Sequence, residues 1–124
     1  NSILYTDAML DATIKLLRQY DDRFNTALVY LSDHGESLGE NGMYLHGTPY
    51  VFAPSQQTHV PFLMWMSADY QRNFGIDRQC LNTLAEKDEV SQDNLFHTLL
   101  GMLNVQTRAY QSQLDILQRC RNAA

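Results

Sequence analysis

The sequence predicts an α/β fold built on a parallel sheet, and three observations carry that reading. A helical pattern over residues 3–20 passes through a short polar link into a strand pattern at 26–32 whose centre, Ala27–Leu31, is an unbroken apolar run. A second strand pattern at 59–67 and a second helical pattern at 91–103 repeat the alternation of elements. Neither apolar run alternates with polar residues, so each strand is expected to be covered on both faces, as in a parallel sheet between helices.

The elements follow in order. Leu4, Ala8, Ala12 and Leu16 recur at four-residue steps, and Ile3, Leu10, Ile14 and Leu17 widen the stripe, so Ile3–Tyr20 reads as a helix. Lys15 and Arg18 lie near its end, where the helix dipole favours cations. Asp21–Asn25 is a polar connector, and Thr26–Ser32 the first strand. Residues 35–58 form a long loop stiffened by Pro49 and Pro54, and long loops inside compact domains tend to be functional. His59–Ser67 is the second strand, with Pro61 at its start, where a missing donor costs least. Residues 68–90 are polar and irregular, with a short helix over 68–73 and a loop through Cys80. Ser91–Leu103 is a helix with Ser91 as N-cap and Asn104 as its stop. A short final helix falls within 110–120, and residues 122–124 should fray.

The totals narrow the class. Hydrophobic content of 44% and charged content of 19% suit a water-exposed globular fold. The longest apolar run, Pro61–Met66, is far short of the ~20 residues of a membrane helix. A net charge of −5 argues against a nucleic-acid partner, which draws on Lys and Arg. The chain opens on Asn1, without Met and inside a helical pattern, which predicts a segment of a longer protein. The 124 residues are expected to be one portion of a single domain. Cys80 and Cys120 lack Cys-x-x-Cys spacing, which argues against a zinc–thiolate site; two free thiols and a disulfide both remain open.

Chemistry concentrates at 28–47. Four of the six glycines (Gly35, Gly39, Gly42, Gly47) and two of the four histidines (His34, His46) lie there. In open α/β sheets ligands bind beyond the carboxyl ends of strands, which is where Asp33 and His34 stand. Neighbours on a strand point to opposite faces, so the two converge only if the chain leaves strand geometry, and Gly35 eases that through its tolerance of positive φ. A carboxylate and an imidazole suit Zn²⁺. His46, Glu36 and Glu40 are the remaining candidates for ligation or proton transfer. His59 and His97 read as structural, and Met64–Met66 as core. No Gly-x-Ser-x-Gly elbow and no phosphate loop with a Lys occurs, so the residues by themselves offer half of a metal site without a nucleophile.

Ser32-Asp33-His34-Gly35-Glu36-Ser37-Leu38-Gly39-Glu40-Asn41-Gly42, followed by Tyr44-Leu45-His46-Gly47, closely resembles the signature of the lipid A phosphoethanolamine transferases. These include the mobile colistin-resistance enzymes and belong to the alkaline-phosphatase and sulfatase superfamily. The likeness continues through Ala53-Pro54, Val60-Pro61 and the helix that opens Ser91-Gln92-Asp93-Asn94-Leu95-Phe96, and on to Cys120. It implies the C-terminal part of a periplasmic catalytic domain with the alkaline-phosphatase-like three-layer sandwich, anchored to the bacterial inner membrane by an N-terminal membrane domain. It implies Zn²⁺ held by Asp33 and His34, and His46 at the substrate or a second zinc. It implies a nucleophilic threonine outside this chain, phosphatidylethanolamine as donor and lipid A as acceptor. A Cys80–Cys120 disulfide is likewise implied. Two rivals stand beside this reading: a sulfatase or phosphodiesterase of the same superfamily, and a fragment inactive alone. Such a fragment would pair with the missing N-terminal half of its domain or self-associate through an exposed sheet.

Overall fold

The computed structural model describes residues 2–87 and 90–122. Contacts divide the chain into two compact units, with the boundary between Met66 and Ser67. The expected fraying of Ala123 and Ala124 falls outside the described residues.

The first unit opens with α1 (Ser2–Arg18), whose Lys15 pairs with Asp11 one turn back at 2.6 Å. A turn closes the helix at Tyr20, whose amide donates to the Leu17 carbonyl. Thr26, buried, donates its hydroxyl to Asp21 and fixes the link into β1 (Ala27–Leu31). All five residues of β1 are half-buried, the non-alternating pattern its composition predicts. Its partner, the last strand of this unit (Phe62–Met66, β4 below), carries Trp65, and the Arg18 guanidinium of α1 lies over that ring, 5.9 Å from its centre.

The two long strands do not run parallel. They pair antiparallel, from Ala27 opposite Met66 to Leu31 opposite Phe62. Both ladders among the described residues are antiparallel. An unbroken apolar run reports that two faces are covered; it carries no information on the direction of the neighbouring strand, and α/β sheets accommodate antiparallel pairs. The segment between these strands is also more structured than a loop. It holds the hairpin β2 (Ser37–Leu38) and β3 (Tyr44–Leu45), with a 3₁₀ turn at Glu40–Gly42 between them. It then forms α2 (Ser55–Thr58) before β4 (Phe62–Met66). The carbonyl of Pro61 accepts the Ser32 amide at 3.2 Å, so Pro61 extends the ladder through the one group it can offer.

The second unit is helical. Ser67 caps α3 (Ala68–Asn73) by accepting the Tyr70 amide at 3.1 Å. Next comes α4 (Arg78–Glu86), where the sequence reading had placed a loop. Asp77 caps it by accepting the Gln79 and Cys80 amides. Cys80, Leu81, Leu84 and Ala85 supply the helical stripe that polar neighbours obscure. α5 (Asp93–Met102) follows, with the Ser91 hydroxyl accepting the Asp93 amide and Asn104 at φ 51 beyond its end. The last segment is a 3₁₀ turn (Ser112–Leu114) and α6 (Ile116–Arg119), capped by Asp115. Tyr70, Ile76, Ile116, Leu117 and Cys120 form the core of this unit. Cys80 and Cys120 are joined by a disulfide with Cα atoms 5.5 Å apart, and the Asp77 amide donates to the Cys120 carbonyl beside it.

Candidate metal centre

Where β1 ends, Ser32 turns the chain. Its hydroxyl donates to the His34 carbonyl at 2.9 Å, and the His34 amide donates to Asp33 Oδ1 at 3.0 Å. His34 Nδ1 lies 2.9 Å from the Gly35 carbonyl. A carbonyl only accepts, so Nδ1 carries the proton and Nε2 keeps its lone pair. That lone pair lies 3.8 Å from Asp33 Oδ2, and two electron-rich atoms so placed suit a shared cation.

Gly35 matters here for a reason other than φ. Positive φ occurs at Gly39, Gly42 and Gly47, but not at Gly35. Instead, a Cβ at Gly35 would lie 1.9 Å from the Gln56 carbonyl oxygen. The Gly35 amide meanwhile donates to the Gln57 carbonyl at 2.9 Å. Glycine therefore lets α2 pack against the backbone one residue after His34.

The hairpin brings His46 back. Ser37 pairs with Leu45, which makes Glu36 and His46 the next opposed residues. His46 Nδ1 lies 3.0 Å from Glu36 Oε2, and the two imidazoles stack with centres 3.9 Å apart. Leu45, immediately before His46, sits at φ 67, a costly conformation for a bulky side chain. One donor atom each from His34, Glu36 and His46 lies within 4.8 Å of the others, and all three residues are exposed. A hollow of about 250 Å³ opens beside them, lined in part by Thr48, Tyr50, Gln57 and Thr58.

The sequence points first to Asp33 and His34, and names His46, Glu36 and Glu40 as the remaining candidates. The structure groups Glu36 with both histidines and leaves Asp33 beside His34, outside that trio. The signal for Glu36 was its two-residue offset from His34, which in extended backbone puts side chains on one face. Glu40 is a poor proton donor near neutrality, because its own backbone N–H and that of Leu38 hold its carboxyl below the ordinary range. His97, in the second unit, is buried and accepts the Gln111 amide at 3.1 Å, a packing role.

A half-buried strand runs into Ser-Asp-His-Gly, a second histidine stacks on the first, and with Glu36 the two can hold a metal ion; the chain belongs to the sulfatase family, whose model matches residues 1–105. Within that family it is similar to phosphoethanolamine transferases. It is 53% identical to phosphoethanolamine transferase EptA of Escherichia coli (strain K12) over 124 residues, all of this chain and 23% of that protein. It matches the soluble domain of lipooligosaccharide phosphoethanolamine transferase A from Neisseria meningitidis with a TM-score of 0.91 and 46% identity, covering 98% of this chain and 36% of that one. The integral membrane form of the same Neisseria protein matches with the same TM-score, and the chain covers 23% of it. The chain thus spans about a quarter of the length of its curated relatives, and the α/β class holds.

Proposed function

We propose that this chain is part of a zinc-dependent enzyme that transfers phosphoethanolamine from phosphatidylethanolamine to a lipid A phosphate. The observation that carries the reading is the convergence of His34, Glu36 and His46, with Asp33 beside His34. Two imidazoles and carboxylates are a donor set that fits Zn²⁺. Asp33 and His34 are assigned to that ion, and bound zinc supplies Lewis-acid stabilisation of charge on a phosphoryl oxygen.

The chain's own residues do the rest. Glu36 accepts the Nδ1 proton of His46, leaving Nε2 to contact the phosphoryl group or to hold and deliver a proton to the leaving oxygen. The nucleophilic threonine belongs to sequence outside this chain, so the 124 residues alone are inactive and bind zinc weakly. Both units belong to one alkaline-phosphatase-like domain with a mainly parallel sheet, completed by its preceding half. The exposed apolar side chains of α1, Ile3, Leu4 and Tyr5 among them, support that need for a covering partner. The domain lies in the periplasm, held at the inner membrane by a membrane domain. Among the described residues no helix is long and apolar enough to cross a membrane, so any anchor lies elsewhere in the parent.

The test compares the parent enzyme on phosphatidylethanolamine with lipid A and on sulfate esters. Phosphoethanolamine transfer is expected, with little sulfate release. His46→Ala should cost on the order of 100-fold in transfer. Preferential sulfate hydrolysis would overturn the class, and full transfer by His46→Ala would overturn the role of His46.

A further inference from the structure

Gln57 is an amide side chain in an unusual place. It is 6% exposed, lines the hollow shared by His34 and His46, and uses both ends of its head group. The Thr48 amide donates to Oε1 at 3.3 Å. Because that backbone N–H can only donate, the orientation of the amide is fixed, and Nε2 donates to Ser37 Oγ at 2.8 Å. Ser37 is 1% exposed, so this bond lies in a dry setting where an unmet polar group is costly. The backbone of Gln57 is engaged as well: its carbonyl accepts the Gly35 amide at 2.9 Å, and its amide donates to the Pro54 carbonyl.

These bonds reach the two arms of the site. Gly35 and Ser37 flank Glu36 on the arm that follows His34, and Thr48 is two residues beyond His46 on the other arm. Between Ser37 and Thr48 the covalent path runs through the whole hairpin and its 3₁₀ turn. The hairpin ladder itself has only two residue pairs, Ser37 with Leu45 and Leu38 with Tyr44. A ladder so short leaves the distance between its open ends weakly determined. The Gln57 head group bridges those ends.

We infer that Gln57 is a positioning residue of this site, an amide clamp that holds the His46 arm at its working distance from His34 and Glu36. It touches no reacting atom in this role and acts through His46. The inference rests on the transferase reading only for its activity assay. A displacement of about 1 Å in a reacting group can cost on the order of 100-fold in rate, so losing the clamp should be visible in turnover.

The experiment is a double-mutant cycle in the parent enzyme, with phosphatidylethanolamine and lipid A as substrates. Gln57→Met keeps length and volume and removes both side-chain hydrogen bonds. Alone it should lower kcat/KM roughly 10- to 100-fold, mostly through kcat. In a His46→Ala background the same substitution should cost less than about two-fold, because the group it positions is already gone. Gln57→Glu, able to accept from Thr48 and from a reversed Ser37 hydroxyl, should recover a large part of the loss. Equal losses in both backgrounds, or no loss in Gln57→Met alone, would overturn the clamp. Should Gln57→Met fail to fold, Ser37→Ala takes its place in the cycle under the same criterion. A crystal structure of the variant domain separates the two readings. If the parent has no transferase activity, the His34–His46 stacking distance still decides, since an unchanged 3.9 Å stack without the clamp refutes it.

Discussion

Asp33 lies just after β1 and Asp115 just before α6, and the two units of the molecule treat them in opposite ways. The Asp33 side chain is 90% exposed, beside the His34 imidazole. Asp115 is 0% exposed. It accepts from the Tyr110 hydroxyl and from the Leu117 and Gln118 amides, the last two capping α6. Its carboxylate also fills the space beside Gly101, where a Cβ would come within 1.9 Å of Oδ2. A carboxylate surrounded by donors from its own chain is spent on folding. One turned outward at a strand end keeps charge for a cation. The first unit sets exposed apolar side chains along α1 and a strained Leu45 around its exposed chemistry, whereas the second spends Asp115 on its own fold.

That contrast can be broken at several points. Asp33→Ala in the parent should lower transfer on the order of 1,000-fold if its oxygen serves a catalytic metal, with denaturant stability unchanged or raised. A large loss of stability would place Asp33 with Asp115 instead. Replacing Cys80 and Cys120 by Ser opens a loop with a sequence separation of 40 and should cost roughly 4 kcal/mol on the chain-entropy model, read from urea midpoints. Asp115→Ala leaves three donors without an acceptor, two of them at a helix start, and should cost about 2–3 kcal/mol. Its transfer activity per folded molecule should stay near the parent value.

The smallest effect sharpens the picture of the second unit. Burial first, and the hydrogen bond to Asp115 second, push the Tyr110 phenol up to about 12 from an ordinary 10.0. The folded state therefore holds this proton more tightly than the unfolded one. The stabilisation is fully present below pH 10 and fades as pH rises toward 12. Stability measured across that window should fall in the parent, and Tyr110→Phe should flatten the part of the slope that this group contributes.

Much of this was legible in the sequence. The four-residue recurrence from Leu4 to Leu16 marked α1, and the continuous run from Ala27 to Leu31 marked β1, because burial leaves a direct trace in side-chain type. Strand direction left none: the described strands β1 and β4 pair antiparallel. α4 was missed because Arg78, Gln79, Asn82 and Thr83 outweigh a stripe of four apolar positions, although Asp77 is the cap that announces it. At the site, Asp33 and His34 stood out as neighbours at a strand end. Glu36 was one candidate among three, and what raises it above Glu40 is a hairpin register that ties residues ten apart. Gln57 left no signal at all: an amide earns its place only through partners at Ser37 and Thr48 that no local pattern connects.

Gly35 carries a consequence for how this sequence can change. With a backbone oxygen 1.9 Å from where a Cβ would stand, no residue other than glycine fits without moving α2. Every missense change of a glycine codon introduces a Cβ, so the position has no tolerated single-step neighbour. A drifting lineage can revise the lip of the hollow around Tyr50 and Thr58. It cannot pass through Gly35, which marks a fixed point in the evolutionary routes open to the site.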